Sequence, residues 1–241
     1  MPIGDYSVPR YFKRGVLPRR TRFGQLEGVP VFSDAVPTIA VSDWPDVLAD
    51  KNKPECSSLI WNVYDQDGVG SCASEGINKG NETIRKACGR EDVQFNPLFV
   101  YHTVSGGYDG GSSLDDNVSF VMEKGCCPES VYPRSKGFRA TPPDSAYEAA
   151  LNYRVTEIFD IDTSSSTQFH LEFGSALLQG FPVYFGYSGH AILGTELIDT
   201  DTVKYINSWG DWGDNGFGTI SFNRIMRSYG AFAIRVPTEE S

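Results

Sequence analysis

The chain has 241 residues, 40% of them hydrophobic and 22% charged, a composition that excludes a fibrous or wholly disordered protein and suits one large domain or two small lobes sharing an interface. Its apolar runs, such as Pro97–Tyr101, fall far short of the roughly 20 residues of a membrane-spanning helix. The opening Met1-Pro2-Ile3-Gly4-Asp5 lacks the apolar stretch of a secretory signal, which predicts a cytoplasmic or virion-associated protein. The net charge is −10, from 21 Lys and Arg against 31 Asp and Glu.

Residues 1–55 are rich in Pro, Arg and Asp, lack helical periodicity, and read as an extended leader or strap ahead of a catalytic domain over 56–241. Six bases (Arg10, Lys13, Arg14, Arg19, Arg20 and Arg22) cluster there with no acid among them, leaving the remainder at −16. So acidic a body makes nucleic acid an unlikely main partner. The basic arm 10–22 can strap onto that body or reach an acidic partner or assembly.

From Cys72 to Cys88 the apolar residues Ala73, Ile77, Ile84, Ala87 and Cys88 recur at helical spacing, with Glu75, Lys79, Glu82 and Arg85 elsewhere on the wheel. Gly76 and Gly80, one turn apart, predict close approach of another backbone. Asn96-Pro97 is a helix start. Leu114, Val118, Val121 and Met122 form another stripe that stops at Gly125. Past Ala150 the pattern turns to short strands at 153–159, 191–197, 203–206, 217–222 and 232–236, interrupted by one helix over 167–179. The class is α+β, with a helical lobe over about 66–150, a β-rich lobe over about 151–236 and a cleft between them.

Cys72 follows Gln66-Asp67-Gly68-Val69-Gly70-Ser71 and opens the helix. Unpaired N–H groups and the helix dipole there favour thiolate over thiol. Ser71 can cap the helix, and Gly68 and Gly70 leave room for a ligand. The Gln66 amide, with the Cys72 N–H, can hold a developing oxyanion. A thiolate needs a proton shuttle. Among three histidines, His190 stands at the mouth of the apolar run Ala191-Ile192-Leu193, and Asn207 ends the strand 203–206. If those strands are neighbours, Asn207 can fix the His190 ring without adding charge. Five cysteines, Cys56, Cys72, Cys88, Cys126 and Cys127, with no Cys-x-x-Cys pair, argue against both a disulfide framework and a zinc site. Neither a metal nor a cofactor is expected.

Asn207-Ser208-Trp209-Gly210-Asp211-Trp212-Gly213-Asp214-Asn215-Gly216-Phe217 resembles the N-S-W-G-x-x-W-G-x-x-G-[YF] stretch of papain-like cysteine peptidases, and the Cys72 segment resembles that family's Gln…Gly-Ser-Cys loop. Asp109-Gly110-Gly111 is similar to its substrate-binding Asn-Gly-Gly, and Glu129-Ser130-Val131-Tyr132-Pro133 to its Glu-x-x-Tyr-Pro. The resemblance implies a two-lobe papain-like fold, a helical left lobe and an antiparallel β-barrel-like right lobe. It implies a nucleophile in Cys72, a general base and acid in His190, an orienting group in Asn207 and an oxyanion donor in Gln66. It also implies that Trp209 shields the His–Asn hydrogen bond, that Gly110 and Gly111 pair with an extended peptide or protein substrate, and that Ala191 lines a side-chain pocket.

This sequence departs from the pattern in several places. Val69 and Ala73 stand where the family has a disulfide cysteine and an aromatic residue, Tyr108 replaces a second cysteine, and Asp109 replaces Asn. Gly180-Phe181-Pro182-Val183 runs almost directly into His190, shortening the leaving-group side of the cleft. Glu75 adds negative charge near the thiolate. Two rival readings use the same fold, a transferase or isopeptidase with the same triad and a structural, virion-associated protein with little turnover. The leader either blocks the cleft until removed or serves as a permanent strap or docking arm.

Overall fold

The chain threads both lobes before its first long helix begins. The computed structural model describes residues 15–237. They open with β1 (Val16–Leu17), α1 (Phe32–Ala35) and α2 (Trp44–Ala49), followed by α3 (Cys72–Ala87), α4 (Pro97–Ser105), β2 (Ser112–Ser113), α5 (Leu114–Glu123) and α6 (Asp144–Ala150). The second lobe holds β3 (Val155–Asp160), α7 (Ser166–Leu178), β4 (Val183–Tyr187), β5 (His190–Leu197), β6 (Thr202–Ile206), β7 (Phe217–Ser221) and β8 (Ala231–Pro237). No helix among the described residues is long and apolar enough to cross a membrane.

Local signals set the helix starts. Asn96 caps α4 by accepting the Leu98 N–H at 3.0 Å, with Pro97 in the first turn. Ser113 caps α5 through the Asp116 N–H at 3.1 Å. Helix α3 is buried almost throughout, and its charges are buried with it: Glu75, Lys79, Glu82 and Arg85 are core residues. They are tolerated because they are partnered. Glu82 accepts the Phe95 N–H at 2.9 Å and also bonds Lys79 and the Tyr64 hydroxyl. The Arg85 guanidinium lies 4.8 Å from the Tyr153 ring centroid. Burial pushes the Lys79 amine down and the Glu82 carboxyl up, against their mutual attraction. Gly76 and Gly80 admit side chains rather than a second backbone. A Cβ on Gly76 would stand 3.0 Å from the Tyr184 ring, and one on Gly80 2.3 Å from Ile234 Cδ1.

The sheet is antiparallel, in the order β3-β8-β4-β5-β6-β7, and it is open. The barrel-like right lobe expected from the family resemblance is therefore not a closed barrel. The edge of β3 is met by the leader, through a parallel bridge between Val31 and Asp160 and an Asp160 N–H bond to the Pro30 carbonyl at 2.9 Å. Strand β4 escapes the sequence reading because Gly180–Val183 looks like a truncated loop. Instead Tyr187 pairs with His190 across a two-residue turn, with Ser188 at φ +48° and Gly189 at φ +79°, the left-handed geometry that suits a tight hairpin.

The leader is built into this body. Phe32, Val36 and Trp44 are buried in the second lobe's core with Phe159, Phe173 and Phe185, and a Cβ on Gly174 of α7 would stand 2.1 Å from the Trp44 indole. Its helices are too short to show a period in sequence. Arg19 forks onto both Asp160 oxygens at 2.9 and 2.8 Å and lies 3.3 Å from Asp115. Arg20 lies 3.3 Å from Asp116. The described part of the basic arm thus straps onto the chain's own acids, while Arg10, Lys13 and Arg14 fall outside the described residues.

Candidate active site

Cys72 is fully buried at the first turn of α3. Its sulfur lies within hydrogen-bonding reach of the backbone N–H groups of Ala191, Gly15 and Ala73. Burial nevertheless outweighs these donors and pushes the thiol from 9.0 to about 11. The helix terminus alone favours the opposite shift; it loses here because the sulfur is cut off from water. Ser71 does not cap α3. It donates instead to Glu75 Oε1 at 2.9 Å.

His190 is the first residue of β5, and β5 pairs antiparallel with β6, bringing Asn207 alongside it. His190 Nε2 lies 2.7 Å from Asn207 Oδ1. That oxygen also accepts the Ser208 N–H at 2.8 Å. An amide oxygen accepts only, so it favours the tautomer protonated at Nε2, whose ring lone pair sits on Nδ1. The Trp209 indole stacks on the imidazole at 4.5 Å between centroids and 24° between planes. Histidine, amide and indole are all buried, so water is kept from the His–Asn bond. Ala191, next in the chain, is buried in the same core cluster as Cys72. The strand that begins at His190 therefore packs against the helix that begins at Cys72.

The Gln66 loop closes the site from the helical lobe. Its backbone N–H bonds the Ser208 carbonyl at 2.9 Å. Its side-chain oxygen accepts from Ser208 Oγ at 2.8 Å and from Trp209 Nε1 at 3.1 Å, and its amide nitrogen donates to the Val69 carbonyl at 2.5 Å. Gln66 is thus clamped to the very segment that carries Asn207. Asp109 ties the Cys72 loop to the Gly110-Gly111 turn by accepting from the Gly70 N–H at 2.7 Å and the Tyr101 hydroxyl at 3.0 Å. A carboxylate at this position serves as a double acceptor.

No motif singles out Gly15, yet it lies against the Cys72 loop at Gly70. β1 pairs parallel with β2, the Ser112 N–H bonds the Gly15 carbonyl at 2.8 Å, and the Val16 N–H bonds the Gly189 carbonyl at 3.1 Å. Positions 15 and 111 must be glycine for this to fit. A Cβ on Gly15 would stand 2.0 Å from the Gly70 carbonyl oxygen, and one on Gly111 2.1 Å from the Gly15 carbonyl oxygen. Gly110 faces open space and Tyr108 is exposed on the rim. The only forward signal was a glycine within a run of bases.

Away from the cleft, His102 Nδ1 lies 2.8 Å from the Phe138 carbonyl, and His170 packs between Trp44 and Phe222 with Nε2 2.7 Å from the Thr200 carbonyl. Both are satisfied structural residues. All five cysteines are free thiols, Cys126 and Cys127 included. No group of His, Cys, Asp or Glu among the described residues could hold a metal ion.

Neither a protein-family model nor a curated protein matches the sequence. Solved structures do match the fold. Xylellain, a cysteine protease from Xylella fastidiosa, superposes with a TM-score of 0.69 at 19% identity, over 96% of this chain and 99% of its own. Digestive procathepsin L 3 of the Tenebrio molitor larval midgut gives 0.65 at 16% identity, over 94% and 77%. The clostridial cysteine protease Cwp84 gives 0.63 at 16% identity, over 77% and 57%. The chain has the two-lobe fold of papain-like cysteine proteases.

Proposed function

We propose that this chain is a cysteine endopeptidase of the papain type, assignable to the C1 family of peptidases, that cleaves peptide bonds through a thioester acyl-enzyme. The reading is carried by one observation: an imidazole hydrogen-bonded to Asn207 and stacked on Trp209 opens the strand that packs against the helix whose first residue is Cys72. In the reaction, the Cys72 thiolate attacks the scissile carbonyl carbon. The Cys72 N–H and the Gln66 amide receive the oxyanion. His190, protonated in the ion pair, gives its proton to the departing amine, then takes one from the water that hydrolyses the thioester. Gly110 and Gly111 pair with an extended substrate backbone, and Ala191 lines the pocket for the side chain before the cut.

The same reading makes the strapped form latent. Gly15 packs against Gly70 and Gly111 beside Cys72, and its carbonyl is held by the Ser112 N–H rather than presented for attack. The fully buried thiol is also poorly ionised at neutral pH.

The test is labelling by an epoxysuccinyl or iodoacetamide probe, with peptide hydrolysis measured in parallel. Labelling that vanishes in Cys72→Ala, together with hydrolysis that needs no amine acceptor, is the expected result. A folded protein whose Cys72 stays unlabelled after displacement of the strap would overturn the peptidase reading.

A further inference from the structure

Glu75 lies three residues beyond the nucleophile and is buried with no exposed face. A carboxylate there opposes ionisation of Cys72, adding to the burial that chiefly pushes this thiol up. Its charge is answered from the far side of the helical lobe. Arg134, just after the Glu129–Pro133 segment, grips it with two parallel bonds, Nη1 to Oε2 at 2.9 Å and Nη2 to Oε1 at 2.7 Å. This is the planar two-point geometry at which Arg is hard to replace. Arg134 Nη2 also donates to the backbone carbonyl of Asp65, the residue before Gln66. Ser71, the residue before the nucleophile, donates to Glu75 Oε1. One ion pair therefore touches the first turn of the nucleophile helix, the residue flanking Cys72 and the loop that carries the oxyanion amide.

We propose that Glu75 and Arg134 are a positioning pair, which locks the Gln66 loop to the nucleophile helix and balances the charge facing Cys72. Neither residue touches the reacting atoms. The proposal rests on the peptidase reading for its catalytic consequence, but its electrostatic part concerns the thiol alone. The groups facing Glu75 are Arg134, Tyr64, Lys79 and Ser71. Lys79 is committed to Glu82 and Asn62, so Arg134 is the cation that decides the balance at Glu75. Among the described residues the pair makes no hydrogen bond or ion pair with the strap, whose bonds go to Ser112, Gly189, Ser228, Asp115 and Asp160 and whose close approach is to Gly70 and Gly111. Strap opening should therefore affect the variants below equally.

The experiment measures the pH dependence of Cys72 alkylation by iodoacetamide in the full chain, for the parent, Glu75→Gln, Arg134→Met and Arg134→Lys. Removing the acid leaves an uncompensated guanidinium, so the ionisation midpoint should fall in Glu75→Gln. Removing the base leaves an uncompensated carboxylate, so it should rise in Arg134→Met, each by roughly half to one pH unit. Arg134→Lys should restore the midpoint, since it keeps the charge. It should not restore turnover, because lysine cannot hold both carboxylate oxygens and the Asp65 carbonyl together. In peptide hydrolysis Arg134→Met should lower kcat about tenfold or more with KM changed much less. Midpoints that stay put, or move the same way in Glu75→Gln and Arg134→Met, would overturn the proposal. If Arg134→Met fails to fold, the near-isosteric Glu75→Gln decides alone by the sign of its shift. If the chain hydrolyses no peptide, the alkylation midpoints still decide whether the pair acts on Cys72, independently of the peptidase reading.

Discussion

Gly15 and Gly70 meet backbone to backbone, so closely that a Cβ on Gly15 would stand 2.0 Å from the Gly70 carbonyl oxygen. No side chain can move aside to relieve that overlap. Gly15→Leu should therefore dislodge β1 and expose Cys72. The expected outcome is alkylation at least tenfold faster than in the parent with the protein still folded. Equal labelling rates would show that the strap does not gate the sulfur.

The leader divides into a latch and a foundation. A chain beginning at residue 19 loses Gly15 and Val16 but keeps Arg19, Phe32 and Trp44. It should stay folded and label rapidly. A chain beginning at residue 56 loses two buried aromatics from the second lobe's core, each costing about 3–5 kcal/mol by analogy with truncation to Ala. It should be insoluble or unfold at far lower temperature. Thermal unfolding of the two truncations separates these roles.

Asp160 is buried beneath Arg19 and also accepts the Gly24 N–H at 2.9 Å. Arg19→Met leaves a buried carboxylate without its cation. Breaking such a pair from one side costs about 3–5 kcal/mol. The expected result is a clear drop in Tm, with faster Cys72 labelling because the latch loses its anchor.

Acidity of the thiol adds a pH dependence with a definite sign. In the closed state burial holds Cys72 up at about 11, against 9.0 for an ordinary thiol. The closed state therefore binds this proton more tightly than the open one. Its preference is complete below the open-state value, which is 9.0 for an unpaired thiol and lower once His190 pairs with it, and is lost as pH rises from there to about 11, by up to about tenfold per pH unit. Proteolytic sensitivity of the segment around Gly15 should increase across that window in the parent. The rise should be absent in Cys72→Ala.

Asn207 positions the imidazole through one hydrogen bond under the Trp209 ring. Asn207→Ala should reduce kcat by about tenfold to several hundredfold with a small change in KM, in line with the loss of one orienting bond. Trp209→Phe keeps a stacking face and should cost less than Asn207→Ala. Steady-state kinetics on the strap-opened chain measure both.

Much of the architecture was legible in the sequence because its signals are local. Asn96-Pro97 and the stripe ending at Gly125 mark two helices, and β-branched runs between turn residues mark five of the strands. Cys72, His190, Asn207 and Gln66 could be named from motif order alone, and the pairing of β5 with β6 does bring Asn207 to His190. Other features have no local signature. β4 hid behind a two-residue turn, α6 is only seven residues long, and the short helices of the leader fall below the length at which a period shows.

What the sequence determined by itself is the chemistry available, a cysteine at a helix start, a histidine, an amide and an indole in a fixed order along the chain. What tertiary structure alone decided is the state of that chemistry. Gly15 lies against the Cys72 loop, and burial reverses the shift the helix terminus would impose. Arg134 answers Glu75 from 59 residues away. Spacing and periodicity report neighbours along a chain, whereas desolvation and ion pairing depend on which distant groups exclude water and supply the opposite charge.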